Sequence, residues 1–133
     1  MLKTHHVGYL VKNIEKSKEE FKKLGYILTS EVIHDEARKI KICFMDNFGV
    51  VIELVEPDED CEFLKGLKKK IGVGTYHICY ECDDFERERN TLLDSGYLEV
   101  QEPAKAIAID GRRVSFMFAP DIGLIELLEE KGA

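Results

Sequence analysis

The chain reads as an α+β protein in which two tandem βαβββ modules form a curved mixed sheet. Three observations predict this. The sequence repeats its own order of motifs 71 residues on, each repeat opens on an alternating stretch that carries one histidine, and each closes on an apolar stretch that carries one glutamate.

The repeat is read residue by residue. Thr4-His5-His6-Val7-Gly8-Tyr9 aligns with Thr75-Tyr76-His77-Ile78-Cys79-Tyr80, and the same spacing pairs Glu15 with Glu86, Gly25 with Gly96 and Tyr26 with Tyr97. Ile52-Glu53-Leu54-Val55-Glu56 then aligns with Ile125-Glu126-Leu127-Leu128-Glu129 at a spacing of 73, a two-residue drift of the kind a loop absorbs. Single matches arise by chance, but a histidine, a Gly-Tyr and an Ile-Glu-Leu-apolar-Glu in one order do not. One domain over 1–133 is expected, with module one at about 1–57, a connecting helix at about 58–73 and module two at about 74–131.

Each element follows from its local pattern. Residues 5–11 alternate as a strand, with Val7, Tyr9 and Val11 on one face and His6, Gly8 and Leu10 on the other, so His5 points away from His6. Asn13 can cap a helix whose Ile14, Phe21 and Leu24 share a side and whose stop is Gly25. Strands are expected over 26–33, 39–45 and 50–55, with residues 47–49 supplying a turn. In the second module a strand covers 77–82, Asp83 or Asp84 caps a helix ending near Gly96, and strands follow near 97–102, 113–118 and 124–128. Between the modules Asp60 is expected to cap a short helix holding Phe63, Leu64, Leu67 and Ile71 and closed by Gly72.

The repeated polar residues fall on one side of these strands. His6 and His77 lie opposite the apolar face that must cover a helix. Ile52 and Leu54 take the helix side and leave Glu53 with Val51 and Val55, just as Ile125 and Leu127 leave Glu126 with Leu124 and Leu128. A carboxylate among Val and Leu is costly to bury unless it is paired or metal-bound. His6, Glu53, His77 and Glu126 are therefore the candidate ligands of one divalent metal, around which the curved sheet would close. Two imidazoles and two carboxylates leave coordination positions for water or substrate on an octahedral ion such as Co, Ni, Mn, Zn or Fe. Taken singly, each histidine would read as a core residue and each glutamate as an exposed strand residue; their repeat-equivalent placement outweighs that. His5 has Tyr76 as its counterpart and is the weaker candidate, His34 reads as a solvated loop residue, and Glu56 and Glu129 read as exposed strand ends.

Bulk properties exclude several classes. A net charge of −7 speaks against nucleic acid or an anionic membrane as partner, and no stretch approaches the ~20 apolar residues of a membrane span. The N-terminal residues lack a secretory cleavage pattern, and Cys43, Cys61, Cys79 and Cys82 read as reduced thiols of a cytoplasmic protein. Cys79 and Cys82, three apart in a strand, point to opposite faces and so share no metal. Lys68, Lys69 and Lys70 read as a solvated helix end.

Several stretches carry a resemblance: His-Val-Gly-Tyr-Leu-Val from His6, Val-Ile-Glu-Leu-Val-Glu-Pro from Val51, Tyr-His-Ile-Cys-Tyr-Glu-Cys-Asp-Asp from Tyr76 and Leu-Ile-Glu-Leu-Leu-Glu from Leu124. Over nearly the whole chain they resemble the vicinal oxygen chelate (glyoxalase/bleomycin resistance/dioxygenase) superfamily, and within it the methylmalonyl-CoA epimerases, whose central segment is matched from Glu53 to Cys79. The resemblance implies that the superfamily's metal ligands fall on His6, Glu53, His77 and Glu126. It implies an enzyme that moves a proton beside a metal-held carbonyl through an enolate, with Glu126 the first choice of base and Glu53 its symmetry mate. It also implies a small-molecule substrate such as an acyl-CoA thioester, whose phosphates Lys68–Lys70 or Arg112-Arg113 could meet, and admits a homodimer. A glyoxalase I-like lactoylglutathione lyase is the alternative reaction, and a non-catalytic binding or resistance protein the alternative class. Departures bear on the substrate. Tyr76 stands where epimerases carry a second histidine, Met117-Phe118-Ala119-Pro120 replaces their Phe-Leu-His-Pro, no acid lies within Ile40-Lys41-Ile42-Cys43, and Leu10 replaces the arginine of glyoxalase I.

Overall fold

A computed structural model describes residues 1–133, an α+β fold of nine strands and three α-helices, one strand more than the βαβββ repeat predicts. The chain divides into two compact units, one of residues Val7–Tyr76 and one of Met1–His6 with His77–Ala133, so that strand β1 (Leu2–Leu10) contributes to both.

In the Val7–Tyr76 unit the end of β1 pairs in parallel with β5 (Val50–Pro57), Val7 opposite Ile52 and Gly8 opposite Glu53. Strand β5 runs antiparallel to β4 (Ile40–Asn47), which also carries β2 (Ile27–Leu28) and β3 (Ile33–Asp35). Helix α1 (Ile14–Lys23) begins where predicted, because the Asn13 side chain accepts the Lys16 N–H at 3.1 Å. Its apolar side closes a core of Val11, Ile14, Cys43, Met45, Ile52 and Leu54, with Tyr9, Phe21 and Tyr26 stacked edge to face at 5.1 and 5.2 Å.

In the other unit β6 (Gly74–Cys82) pairs in parallel with β9 (Gly123–Glu129), and β8 (Arg112–Ala119) lies antiparallel between β9 and β7 (Leu98–Ala106). Asp84 caps α3 (Phe85–Asp94), accepting the Arg87 N–H at 3.1 Å, and the helix covers Cys82, Phe85, Met117, Ile125 and Leu127. Both units thus bury, wholly or in part, the residues that strand alternation assigned to the helix side, leaving the opposite face to Glu53 in one and to His6, His77 and Glu126 in the other.

Four local features differ from the sequence reading. Residues 26–33 form two short strands rather than one, because the Ser30 hydroxyl accepts the Phe44 N–H at 2.9 Å and takes a place that a backbone carbonyl would hold in a ladder. Helix α2 (Glu62–Ile71) starts from Cys61 without a side-chain cap, and Asp60 instead pairs with Lys39 at 3.2 Å. Strand β7 runs on to Ala106 through two register shifts around Gln101, and a 3-10 turn at Ile107–Ile109 follows. Glu56 is no plain exposed strand end: its carboxylate accepts the Ile14 N–H at 2.8 Å at the start of α1. The four cysteines are buried and unbridged, and burial pushes the Cys43 and Cys82 thiols up to about 11. No helix is long and apolar enough to cross a membrane.

Candidate metal centre

Within the Met1–His6/His77–Ala133 unit, β1, β6 and β9 bring His6, His77 and Glu126 together. Glu126 stands opposite Cys79 on β6 and Phe116 on β8, and the His77 ring meets Phe116 edge-on at 5.2 Å. The side chains of His6 and His77 are 0% exposed and that of Glu126 2%. Their ligand atoms form an equilateral triangle: His6 Nε2 to Glu126 Oε1, His77 Nε2 to Glu126 Oε1 and His6 Nε2 to His77 Nε2 are each 3.3 Å.

That triangle fits a metal. An ion bound at roughly 2.0–2.2 Å by imidazole nitrogen and carboxylate oxygen holds neighbouring ligands roughly 3.0–3.5 Å apart in octahedral or tetrahedral geometry. Three buried donor atoms at that mutual spacing suit one ion better than one proton, which can bridge a single edge. Burial by itself pushes the Glu126 carboxyl up, but the neighbouring His77 and His6 outweigh it and hold the group well below the usual carboxylate range, ionised as a ligand must be.

Glu53 belongs to the other unit. It is buried at 4% exposure on β5, across from Gly8 and Phe44, while Ile52 and Leu54 face that unit's core. A buried carboxylate on the face away from the helix is what strand alternation assigns to this position.

Two further residues stand at the site without having been assigned to it from sequence. His5 Nδ1 lies 2.8 Å from His6 Nδ1, the rings meeting edge to face with centroids 5.1 Å apart. Alternation sends adjacent Cβ atoms to opposite faces, yet Nδ1 lies close to the backbone, so two rings can still meet beside the strand. The ladder to β5 begins only at Val7. Cys79, two residues past His77 and therefore on its face, places its thiol within 4.8 Å of a ring nitrogen of His5 and one of His6; the spacing i, i+2 was the signal for it. Elsewhere, His34 is exposed as expected but lies on β3 rather than in a loop, and pairs with Asp58 at 2.7 Å. Arg113 pairs with Glu86 at 2.7 Å and Glu129 at 2.9 Å, and Arg112 with Glu81, so these arginines are committed to the protein's own carboxylates. No ion pair is found for Lys68, Lys69 or Lys70 in the last turn of α2.

Comparison with known proteins gives concordant results. The sequence profile of the glyoxalase/bleomycin resistance protein/dioxygenase superfamily matches residues 5–116. The mitochondrial methylmalonyl-CoA epimerase of Dictyostelium discoideum is 28% identical over 131 residues, covering 97% of this chain and 78% of that protein. An uncharacterised Bacillus subtilis protein, YwkD, is 27% identical over 95% of each chain. Among solved structures, a hypothetical protein from Bacillus halodurans C-125 superposes with a TM-score of 0.84 at 24% identity, covering 99% of this chain and 96% of its own. Methylmalonyl-CoA epimerase in complex with methylmalonyl-CoA and NH4+ superposes at 0.82 with 17% identity, covering 99% and 96%. At these identities the solved structures establish the fold.

Proposed function

Because the chain belongs to the glyoxalase/bleomycin resistance protein/dioxygenase superfamily, we propose that it is a divalent-metal-dependent epimerase acting on an acyl-CoA thioester of the methylmalonyl-CoA type. The observation that carries this reading is the buried 3.3 Å triangle of His6, His77 and Glu126. The identity to the Dictyostelium epimerase over 97% of the chain supports the reaction class, and neighbours of the same fold bind acyl-CoA compounds. Glu53, the repeat mate of Glu126, is assigned as the fourth ligand.

These residues would hold a divalent ion, which would supply a Lewis acid for the thioester carbonyl and the charge developing on its oxygen. The chain's own groups do the rest. Epimerisation breaks the C–H bond next to the carbonyl, leaves its electron pair in the enolate and returns a proton to the other face. A carboxylate is needed on each side, and Glu126 and Glu53 are the two we assign. The apolar flank of Glu126, including Phe116 and Leu128, keeps water away from the abstracted proton. Lys68–Lys70, free of internal ion pairs, are the cations offered to the CoA phosphates.

The test is elemental analysis after reconstitution with Co, Ni, Mn or Zn, followed by loss of deuterium from the α-carbon of methylmalonyl-CoA, with hemithioacetal isomerisation run alongside. About one ion per chain and exchange with the thioester alone are expected. A protein that binds no metal and exchanges no deuterium is a binder and not this enzyme.

A further inference from the structure

His5 stands beside the metal triangle, outside the four residues assigned as ligands, and its contact with His6 has a chemical consequence. Resting on the metal-site reading above, we infer that His5 is a positioning residue which fixes the tautomer and ring angle of His6. The two Nδ1 atoms are 2.8 Å apart, the distance of a good N–H···N hydrogen bond, and the rings meet at 78°. Such a bond needs one nitrogen protonated and the other bare. The His6 ring presents Nε2 to Glu126 and His77 at 3.3 Å each. A neutral imidazole that gives its Nε2 lone pair to a metal keeps its proton on Nδ1, and at His6 that proton meets His5 Nδ1. His5 must then accept with Nδ1 and carry its own proton on Nε2.

The consequence is orientation. A ligand histidine whose second nitrogen is hydrogen-bonded is held in one tautomer and at one ring angle, and losing that partner ordinarily weakens metal binding about 10–100-fold. His6 is buried and His5 half-buried, so the bond is shielded from exchange with water. The position equivalent to His5 is Tyr76, so the second repeat has no adjacent histidine pair.

Isothermal titration of the full chain with Zn2+, and 15N NMR of the zinc-loaded protein, test this. His5→Ala is expected to bind zinc about 10–100-fold more weakly than wild type, with the thermal midpoint of the metal-free protein little changed. His5→Gln, whose amide oxygen can still accept the His6 proton, is expected to recover most of the affinity, which a purely space-filling role would not require. In the wild type a 15N–15N coupling through the hydrogen bond should link His6 Nδ1 to His5 Nδ1. Wild-type affinity in His5→Ala, or no coupling in the zinc form, overturns the inference while leaving the metal site standing. A wild type that takes up no zinc overturns both. A thiolate-to-metal charge-transfer band in the Co2+ form that vanishes in Cys79→Ser also overturns it, since His5, His6 and Cys79 would then be ligands themselves.

Discussion

The two repeats keep a histidine and a glutamate at equivalent places and support them differently. Glu56 and Glu129 occupy equivalent places, three residues after Glu53 and Glu126, yet Glu56 reaches the first N–H of α1 while Glu129 accepts the Arg113 N–H at 3.2 Å and the Arg113 guanidinium at 3.0 Å. In the first repeat the glutamate thus joins strand to helix directly. In the second, Arg113 stands between, bonded to Glu129, paired with Glu86 in the first turn of α3 and stacked over Phe85 at 4.8 Å. The histidines diverge likewise, His6 meeting the ring nitrogen of the preceding His5 while His77 follows a tyrosine and meets Phe116 edge-on. A duplicated module can vary whatever merely steadies a strand, because several arrangements hold a strand equally well, whereas few donor types would serve the metal centre proposed above.

The largest effect is expected where the two glutamates are compared as bases. Glu126→Gln and Glu53→Gln keep an oxygen donor but remove the basic carboxylate, so at saturating metal each is expected to slow deuterium loss about 10²–10⁴-fold from one epimer of the thioester and far less from the other. Reciprocal losses for the two variants would confirm one carboxylate per face. Equal losses from both epimers in Glu126→Gln, with none in Glu53→Gln, would leave a single base and break the symmetry of the proposal.

Next in size is a comparison of the two cores. Leu54 and Leu127 are equivalent in the repeat and both fully buried, one packed in the core under α1 and the other in the core under α3. Truncation of either to alanine is expected to cost about 2–5 kcal/mol in denaturant unfolding. Near-equal losses would show that the two units share one cooperative transition. A biphasic curve in one variant alone would show that they unfold separately.

Much of this was legible because both signals it rests on are local. Strand alternation sorts Ile52 from Glu53 and Ile125 from Glu126, and the helix ends follow from Asn13, Asp84, Gly25 and Gly96. What escaped depends on where side chains end rather than where they start. The Ser30 hydroxyl interrupting residues 26–33, Asp60 leaving the α2 cap for Lys39, and Glu56 reaching Ile14 are contacts between segments distant in sequence or around a turn. His5 shows the same limit at short range, for alternation describes Cβ directions and not ring edges. Arg112 and Arg113 looked like cations for a ligand because sequence does not reveal that Glu81, Glu86 and Glu129 already hold them.

The smallest expected effect separates Glu129 from Glu56. Burial raises the Glu129 carboxyl, but the hydrogen bonds and charge of Arg113 outweigh this and hold it below the ordinary range. A carboxylate depressed in the folded state stabilises the protein above its unfolded-state value, about 4.3 for glutamate, and loses that contribution as pH falls through its lower folded-state value. Wild type should therefore lose stability more steeply than Glu129→Gln below about pH 4, with the two curves running parallel above pH 6 or so. Because Glu129 is partly exposed, the difference at neutral pH should stay near 1 kcal/mol or less. Glu56→Ala should instead cost about 1 kcal/mol through the N–H of Ile14 left without its carboxylate, and Glu56→Gln, still an acceptor, should recover most of it. Acid unfolding curves for the four proteins decide the matter. A Glu129→Gln curve that tracks wild type throughout would mean that Arg113 is held by Glu86 and Phe85 alone, and that the second repeat needs no glutamate at this position.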